Sequence, residues 1–294
     1  LTYVDLSTVE EVAEAIWNMT VRGAPAIGVA AAYGLALAAQ HIVAIRSSAP
    51  LNDLAGAAAL LRQARPTAVN LAWAIDRVMR LALATASLPL AEWRDGLLAA
   101  AERMAAEDVE TNRRIGLNAL PLIPQNAVFY HHCNTGALAT VDYGTALGVI
   151  RTAHEAGRQV FVYVDETRPR LQGARLTAWE LQQLGIPFAL VVDGASAHIM
   201  RTRRVDLVTV GCDRIAANGD VANKVGTFNL ALAARAHAIP FYSVGPTSTI
   251  DLSIQSGEDI PIEEREAEEI TTIEGVPITA PVRVCPFSSK KRIS

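Results

Sequence analysis

Apolar positions along the chain change their spacing once. From Val9 to Gly116 they recur at three- and four-residue intervals, the period of amphipathic helices. Ser7 and Thr8 stand before Val9-Glu10-Glu11, so an N-cap with acids in the first turn opens a helix that runs to about Met19. Pro25 suits the first turn of a second helix, where its missing N–H does no harm. Further helices are expected over Asn52–Ala64, stopped by Arg65-Pro66, and over Asn70–Thr85 and Leu90–Gly116. Glu102, Arg103, Glu107, Asp108, Arg113 and Arg114 fall on polar faces and read as solvated.

Pro121 to Pro124 punctuates the chain, and beyond it short β-branched or aromatic runs alternate with helical stretches. The strands are expected at Ala127–His131, Val160–Val164, Phe188–Val192, Leu207–Val210 and Phe241–Val244. Helices are expected at Thr145–Ala156, Ala174–Leu184, Ala195–Arg203 and Phe228–Ala238. This is the pattern of a parallel sheet, and the fold class is α/β. The expected organisation is a helical domain over residues 1–121 and a sheet domain over 122–294.

Gly23 to Ile45 carries no Asp, Glu, Lys or Arg over a span long enough to cross a bilayer. Its Ala- and Gly-rich content is only weakly hydrophobic, and the expectation is a buried core helix rather than a membrane span. A net charge of −4 argues against a chain-wide affinity for nucleic acid. Cys133, Cys212 and Cys285 are dispersed, without zinc-ligand spacing, which points to a reducing cytoplasm and no metal site. No Gly-x-Gly-x-x-Gly follows a strand, and neither a P-loop nor a Gly-x-Ser-x-Gly elbow occurs.

Each expected strand runs into a polar loop, and in a doubly wound sheet such loops gather at one edge, where ligands bind. Val210 to Thr227 is the richest, placing Asp213, Asn218, Asn223 and Lys224 between a strand and a helix. Lys224 there can meet a phosphate and Asp213 can act as an acid; equally, the stretch can be a polar connection whose Asp caps a helix. Cys133, before Asn134-Thr135-Gly136 and beside His131 and His132, is either a thiolate base or nucleophile near free N–H groups, or a buried inert thiol. The histidines are ambiguous between site and core. Glu166 beside Arg168 and Arg170 reads either as an internal ion pair or as part of a site, and the Arg22-Gly23-Ala24 turn either as an anion site at a helix start or as a solvated arginine.

Taken together the motifs resemble the methylthioribose-1-phosphate isomerase family. The resemblance rests on Val21-Arg22-Gly23-Ala24-Pro25-Ala26-Ile27-Gly28, on His132-Cys133-Asn134-Thr135-Gly136-Ala137-Leu138-Ala139-Thr140, and on Asp165 through Arg175. Asp213 through Thr227 and Ile260-Pro261-Ile262-Glu263-Glu264-Arg265 extend it over nearly the whole chain. The family is similar in fold to the alpha, beta and delta regulatory subunits of the translation-initiation guanine-nucleotide exchange factor and to ribose-1,5-bisphosphate isomerases. The resemblance implies a helical N-terminal domain, a Rossmann-like C-terminal domain, a homodimer and a cofactor-free aldose–ketose isomerisation in methionine salvage. It also implies Cys133 and Asp213 as catalytic residues, with Arg22, Gly23, Ala24, Arg65, Gln172, Asn223 and Lys224 as substrate contacts.

Three features depart from the family pattern. Cys212 replaces a small alanine-like residue, the family's segment ahead of Leu1 is absent, and the ending after Pro277 differs. The rival readings are a ribose-1,5-bisphosphate isomerase, which needs a second cationic cluster, and a non-catalytic regulatory subunit, which needs neither Cys133 nor Asp213.

Overall fold

The computed structural model describes residues 2–281, 287–288 and 290–293, with side chains to residue 281. Cys285 lies outside the described residues. The chain forms two compact units, one of residues 1–111 and 138–142, the other of residues 112–137 and 143–294.

The first unit is helical, with α1 (Val9–Trp17), α2 (Ala24–Ala44), α3 (Pro50–Ala64), α4 (Val69–Ala84) and the first part of α5 (Leu90–Ala119). Thr8 and Glu11 cap α1 reciprocally: the Thr8 hydroxyl accepts from the Glu11 N–H, and the Glu11 carboxylate accepts from the Thr8 N–H, each at 3.2 Å. The unit's core joins Ile16, Leu35, Leu54, Leu61, Leu71, Ile75 and Leu97, all nearly or fully buried. Helix α2 is long and apolar enough to span a membrane. Its Ala31, Ala32, Leu35 and Ala39 are instead buried against α1, α3 and α4, the core role expected of it. Small side chains let these helices approach closely, and Gly28 abuts the backbone of Asn70, where a Cβ would lie 2.8 Å from the carbonyl oxygen.

The second unit is built on a five-stranded parallel sheet of β1 (Asn126–His131), β2 (Gln159–Asp165), β3 (Phe188–Val191), β4 (Leu207–Val210) and a last strand at Phe241–Ser243. The order runs β3-β2-β1-β4 and then that last strand, so β1 lies at the centre and the crossovers diverge on either side of it. Helices α6 (Ala146–Glu155) and α7 (Ala178–Gln183) join the core through Leu147, Ile150 and Leu181 around Phe129, Val162 and Val164. Tyr130, Val208 and Val210 pack instead with Met200 of α8 (Ser196–Thr202) and with Leu230 and Ala234 of α9 (Thr227–Ala236). Both faces are therefore covered, which is why β1 and β4 read as near-continuous apolar runs.

The stretch after β4 is more structured than its polarity suggests. Arg214–Ala216 (β5) and Val221–Lys224 (β6) form an antiparallel hairpin, with Arg214 opposite Ala222 and Ile215 opposite Val221. A second sheet continues from it through Lys290–Ile293 on the β6 side and Ile250–Asp251 on the β5 side. The five main strands stand where the sequence pattern puts them, with no end shifted by more than one residue. The hairpin corrects the expectation of a plain connecting loop.

Candidate functional site

The C-terminal ends of β1, β2 and β4 deliver the loops that carry Cys133, Gln172 and the β5–β6 hairpin. Cys133 follows β1 closely and adopts φ +71°, a left-handed backbone uncommon for a residue with a Cβ. Its surroundings hold it there. The Cys133 N–H donates to Thr167 Oγ1 at 2.8 Å, and the Cys133 carbonyl accepts from Thr177 Oγ1 at 2.6 Å. Thr167 itself sits at φ +63°, fixed because Asp193 accepts from the Thr167 and Arg168 N–H groups at 2.8 and 2.7 Å. Residues in such backbone states persist where neighbours over-determine them, and they concentrate at functional sites.

Downstream of Cys133 the loop is organised by a buried carboxylate that the sequence reading missed. Glu180, on α7, accepts from Asn134 Nδ2 at 2.8 Å and from the Ala137 N–H at 2.7 Å. In the sequence it is one Glu on an amphipathic helix, and nothing in its spacing marks it as an inward-facing group.

Lys224 closes β6 and points into the same place. With the Gln172 amide oriented to satisfy both neighbours, its Oε1 accepts from Lys224 Nζ at 3.2 Å and its Nε2 donates to the Thr167 carbonyl at 3.2 Å. Burial pulls the Lys224 pKa down, while Cys133, Glu269 and Asp213 oppose that shift by their charge. A poorly hydrated ammonium favours a bound anion, which restores the solvation that burial removes. Asn223, buried beside it, donates to Thr227 Oγ1 at 3.1 Å, and that hydroxyl donates to the Lys224 carbonyl at 2.6 Å. Asp213 opens the hairpin, its N–H donating to the Ala222 carbonyl at 2.9 Å.

Cys133, Gln172, Lys224, Asn223 and Asp213 are thus brought together in the sheet unit. Arg22, Gly23, Ala24 and Arg65 belong to the helical unit. There Gly23, at φ +100°, caps α2, and a Cβ on it would fall 2.2 Å from the Ala139 carbonyl oxygen. Only glycine allows this close approach. Arg65 ends α3 as its C-cap.

The ion pair read around Glu166 is arranged differently. The arginines after Glu166 pair elsewhere: Arg170 meets Glu269 at 3.2 Å, and Arg168 donates to the Ile270 carbonyl at 2.9 Å. Glu269 in turn binds Arg265 at 2.6 Å. The histidines before Cys133, open between site and core in the sequence, are both buried and hydrogen-bonded to other partners, and Lys224 lies close enough for its charge to act on the thiol. Cys212 is a different kind of thiol. It is buried among Ser243, Gly245 and Thr249, and burial, with the Asp213 charge nearby, pushes its pKa up to about 12.

His132, Asp165 and Asp193 offer ligand atoms within 4.8 Å of one another. Each is already engaged: Asp193 by two backbone N–H groups, and His132 and Asp165 by one another at 2.8 Å. The cluster is a hydrogen-bonded frame behind Cys133.

Residues 20–286 match the initiation factor 2 subunit family. A methylthioribose-1-phosphate isomerase of a Synechococcus species is 59% identical over 268 residues, covering 91% of this chain and 77% of its own length. The crystal structure of 5-methylthioribose 1-phosphate isomerase from Pyrococcus horikoshii superposes with a TM-score of 0.88 at 46% identity, over 98% of this chain and 80% of that one. The structure of the translation initiation factor eIF-2B subunit delta from A. fulgidus gives 0.84 at 40% identity, over 98% and 84%.

Proposed function

The chain belongs to the initiation factor 2 subunit family, and we propose that within it the chain acts as an aldose–ketose isomerase converting 5-methylthioribose 1-phosphate to 5-methylthioribulose 1-phosphate in methionine salvage. The observation that carries this reading is the convergence of Cys133, Lys224, Gln172 and Asp213 at one sheet edge. Relatives bearing that enzyme's name at 59% and 55% identity support it.

The substrate's anomeric oxygen carries the phosphate, so the ring cannot open spontaneously to a free aldehyde. Asp213 gives a proton to the ring oxygen as that oxygen takes the electron pair of its bond to C1. Hydrogen then moves from C2 to C1 by one of two routes. In one, the Cys133 thiolate removes the C2 proton and leaves an enol phosphate, which is reprotonated at C1 as the C2 hydroxyl gives its proton to the Asp213 carboxylate. In the other, the thiolate takes the C2 hydroxyl proton while hydride passes from C2 to C1. Both end with a C2 ketone, a CH₂ at C1 and a free hydroxyl from the opened ring. Both also need a site shielded from water.

Lys224 binds the phosphate as a point charge, assisted by Asn223 and Gln172. Arg22, Gly23, Ala24 and Arg65 are assigned as further substrate contacts by motif correspondence. The enzyme works in the cytoplasm as a homodimer without a cofactor.

The 40% identity to a structure named as eIF-2B subunit delta favours a second reading, a regulatory subunit without catalysis. Phosphorus and proton NMR of the protein with 5-methylthioribose 1-phosphate in heavy water separates the two. Conversion to the ketose is the expected result; deuterium at C1 selects the enol route and its absence the hydride route. A folded protein that leaves the substrate unchanged, while ribose 1,5-bisphosphate is also untouched, sinks the isomerase reading.

A further inference from the structure

His131 and His132 are adjacent, both fully buried, and bonded in different ways. His131 lies 3.1 Å from Thr209 Oγ1 and 3.3 Å from Thr135 Oγ1. A hydroxyl can donate or accept, so a neutral ring satisfies both contacts. Burial, reinforced by His132 alongside and opposed by Thr209, pushes the His131 pKa down to about 3.

His132 has no such latitude. Its Nδ1 is 2.8 Å from Asp165 Oδ2, and its Nε2 is 2.8 Å from the Val225 carbonyl oxygen. A neutral imidazole carries one N–H, and a carbonyl can only accept. Were the ring neutral and Asp165 a bare carboxylate, one of these contacts would set two acceptors face to face. Both are satisfied only when the pair holds two protons, one on Nε2 aimed at Val225 and one between Nδ1 and Asp165.

The other groups around the pair agree. Tyr130 Oη donates to Asp165 Oδ1 at 2.5 Å, and burial together with the Asp165 charge keeps that phenol protonated. Burial also pushes the Asp165 carboxyl up, with Asp193 adding to the shift and the His132 and Tyr130 hydrogen bonds opposing it. Asp193 itself accepts from backbone and takes no proton from the ring.

Val225 follows Lys224 in the turn that leads into α9. Gly226, at φ +100°, lies so close to the imidazole that a Cβ there would sit 2.7 Å from His132 Cε1. The turn therefore rests against the ring, is tied to it at Val225, and is tied to Thr227 at the Lys224 carbonyl.

We infer that His132, with Asp165 as its proton partner, is a positioning residue that holds the Val225–Gly226 turn after β6 through an Nε2–H bond to Val225 and so sets where Lys224 presents its ammonium to the substrate phosphate. The inference rests on the proposed role of Lys224 as a phosphate ligand. His132 touches no reacting atom.

Nitrogen-15 NMR of the ligand-free protein, labelled at histidine, reads the ring protons without any need for turnover. Nε2 of His132 should carry a proton at neutral pH, and a bare Nε2 overturns the inference. Variants supply the second arm, read by the dissociation constant for inorganic phosphate and by the KM and kcat for 5-methylthioribose 1-phosphate. His132→Phe keeps the ring without the donor and should weaken phosphate binding and raise KM about tenfold, with a smaller fall in kcat. Asp165→Ala should do the same. Asp165→Asn should rescue it, because an amide donates to Nδ1, accepts from Tyr130 and leaves a neutral ring its Nε2–H. An unchanged phosphate affinity in His132→Phe, or an Asp165→Asn as impaired as Asp165→Ala, overturns the inference. A parent protein that binds phosphate but converts no sugar phosphate would instead count against the isomerase reading, with the NMR and phosphate arms still deciding this one.

Discussion

The two units of this chain bury different things. Among the described residues, the helical unit buries apolar side chains with Asn70 and Thr140 as the polar exceptions. Its charges meet at the surface, as in Arg62 with Asp76 and Arg77 with Glu107. The sheet unit buries His131, His132, Asn134, Asp165, Glu180, Asn223 and Thr227. A buried donor or acceptor left without a partner costs about 1–3 kcal/mol. A fold that needed only stability would avoid so many. In the sheet unit these groups are bonded to one another and to the loops that carry Cys133 and Lys224. Their use is to fix geometry, and the difference between the units separates side chains that hold the molecule together from side chains that aim chemistry.

That separation predicts opposite responses to mutation. The largest effect belongs to Asp213→Asn, which should abolish turnover in the heavy-water assay while leaving thermal stability close to the parent's. A variant with near-normal rate would remove Asp213 from the acid role. Cys133→Ala should lower kcat by about 10²–10⁴, the range for general acid–base catalysis. The other thiol supplies the control. Below its pKa of about 12 Cys212 is protonated, so Cys212→Ala should leave kcat unchanged, and alkylation at mildly alkaline pH should spare it. Loss of activity in Cys212→Ala with none in Cys133→Ala would mean the wrong cysteine had been assigned.

Leu61→Ala should behave in the reverse way. Leu61 is fully buried in the helical core, and its truncation should cost about 2–5 kcal/mol in a denaturant melt. At temperatures where the variant stays folded, kcat should match the parent. A large fall in kcat without a loss of stability would show that the helical core also tunes the chemistry.

The same division governs what can be read from the sequence. Helix α2 and the five parallel strands are legible because burial imposes a pattern on apolar residues. In Leu207–Val210 the β-branched Val208, Thr209 and Val210 give the run its strand character. The β5–β6 hairpin escapes notice because its strands are three and four residues long and mostly polar or small. Its signal is present in Asn218-Gly219, where Gly219 turns at φ +90°. Cys133, Asp213 and Lys224 stand out as chemistry placed after strands. Glu180 and the His132–Asp165 pair do not, because their meaning lies in partners 43 and 33 residues away, and no local pattern encodes those contacts.

The smallest expected effect tests the comparison from the other side. Arg77 meets Glu107 through its two terminal guanidinium nitrogens, at 2.5 and 2.8 Å, and also lies 5.5 Å from the Trp73 ring centre. The geometry is good, yet the side chains are 36% and 52% exposed, and solvent screens such pairs to below about 1 kcal/mol. The hydrogen bond from Arg77 holds the Glu107 carboxyl below its usual range, with burial opposing. A carboxyl with a depressed native pKa adds stability above its unfolded pKa and loses it as pH falls through the native value. Glu107→Gln should therefore cost less than about 1 kcal/mol near neutral pH, and the gap to the parent should close in acid. Urea melts at a series of pH values measure both. A gap that widens on acidification, or one of several kcal/mol, would mean that the helical unit also relies on closely held charge, and the division between its surface ion pairs and the buried polar frame of the sheet unit would fail.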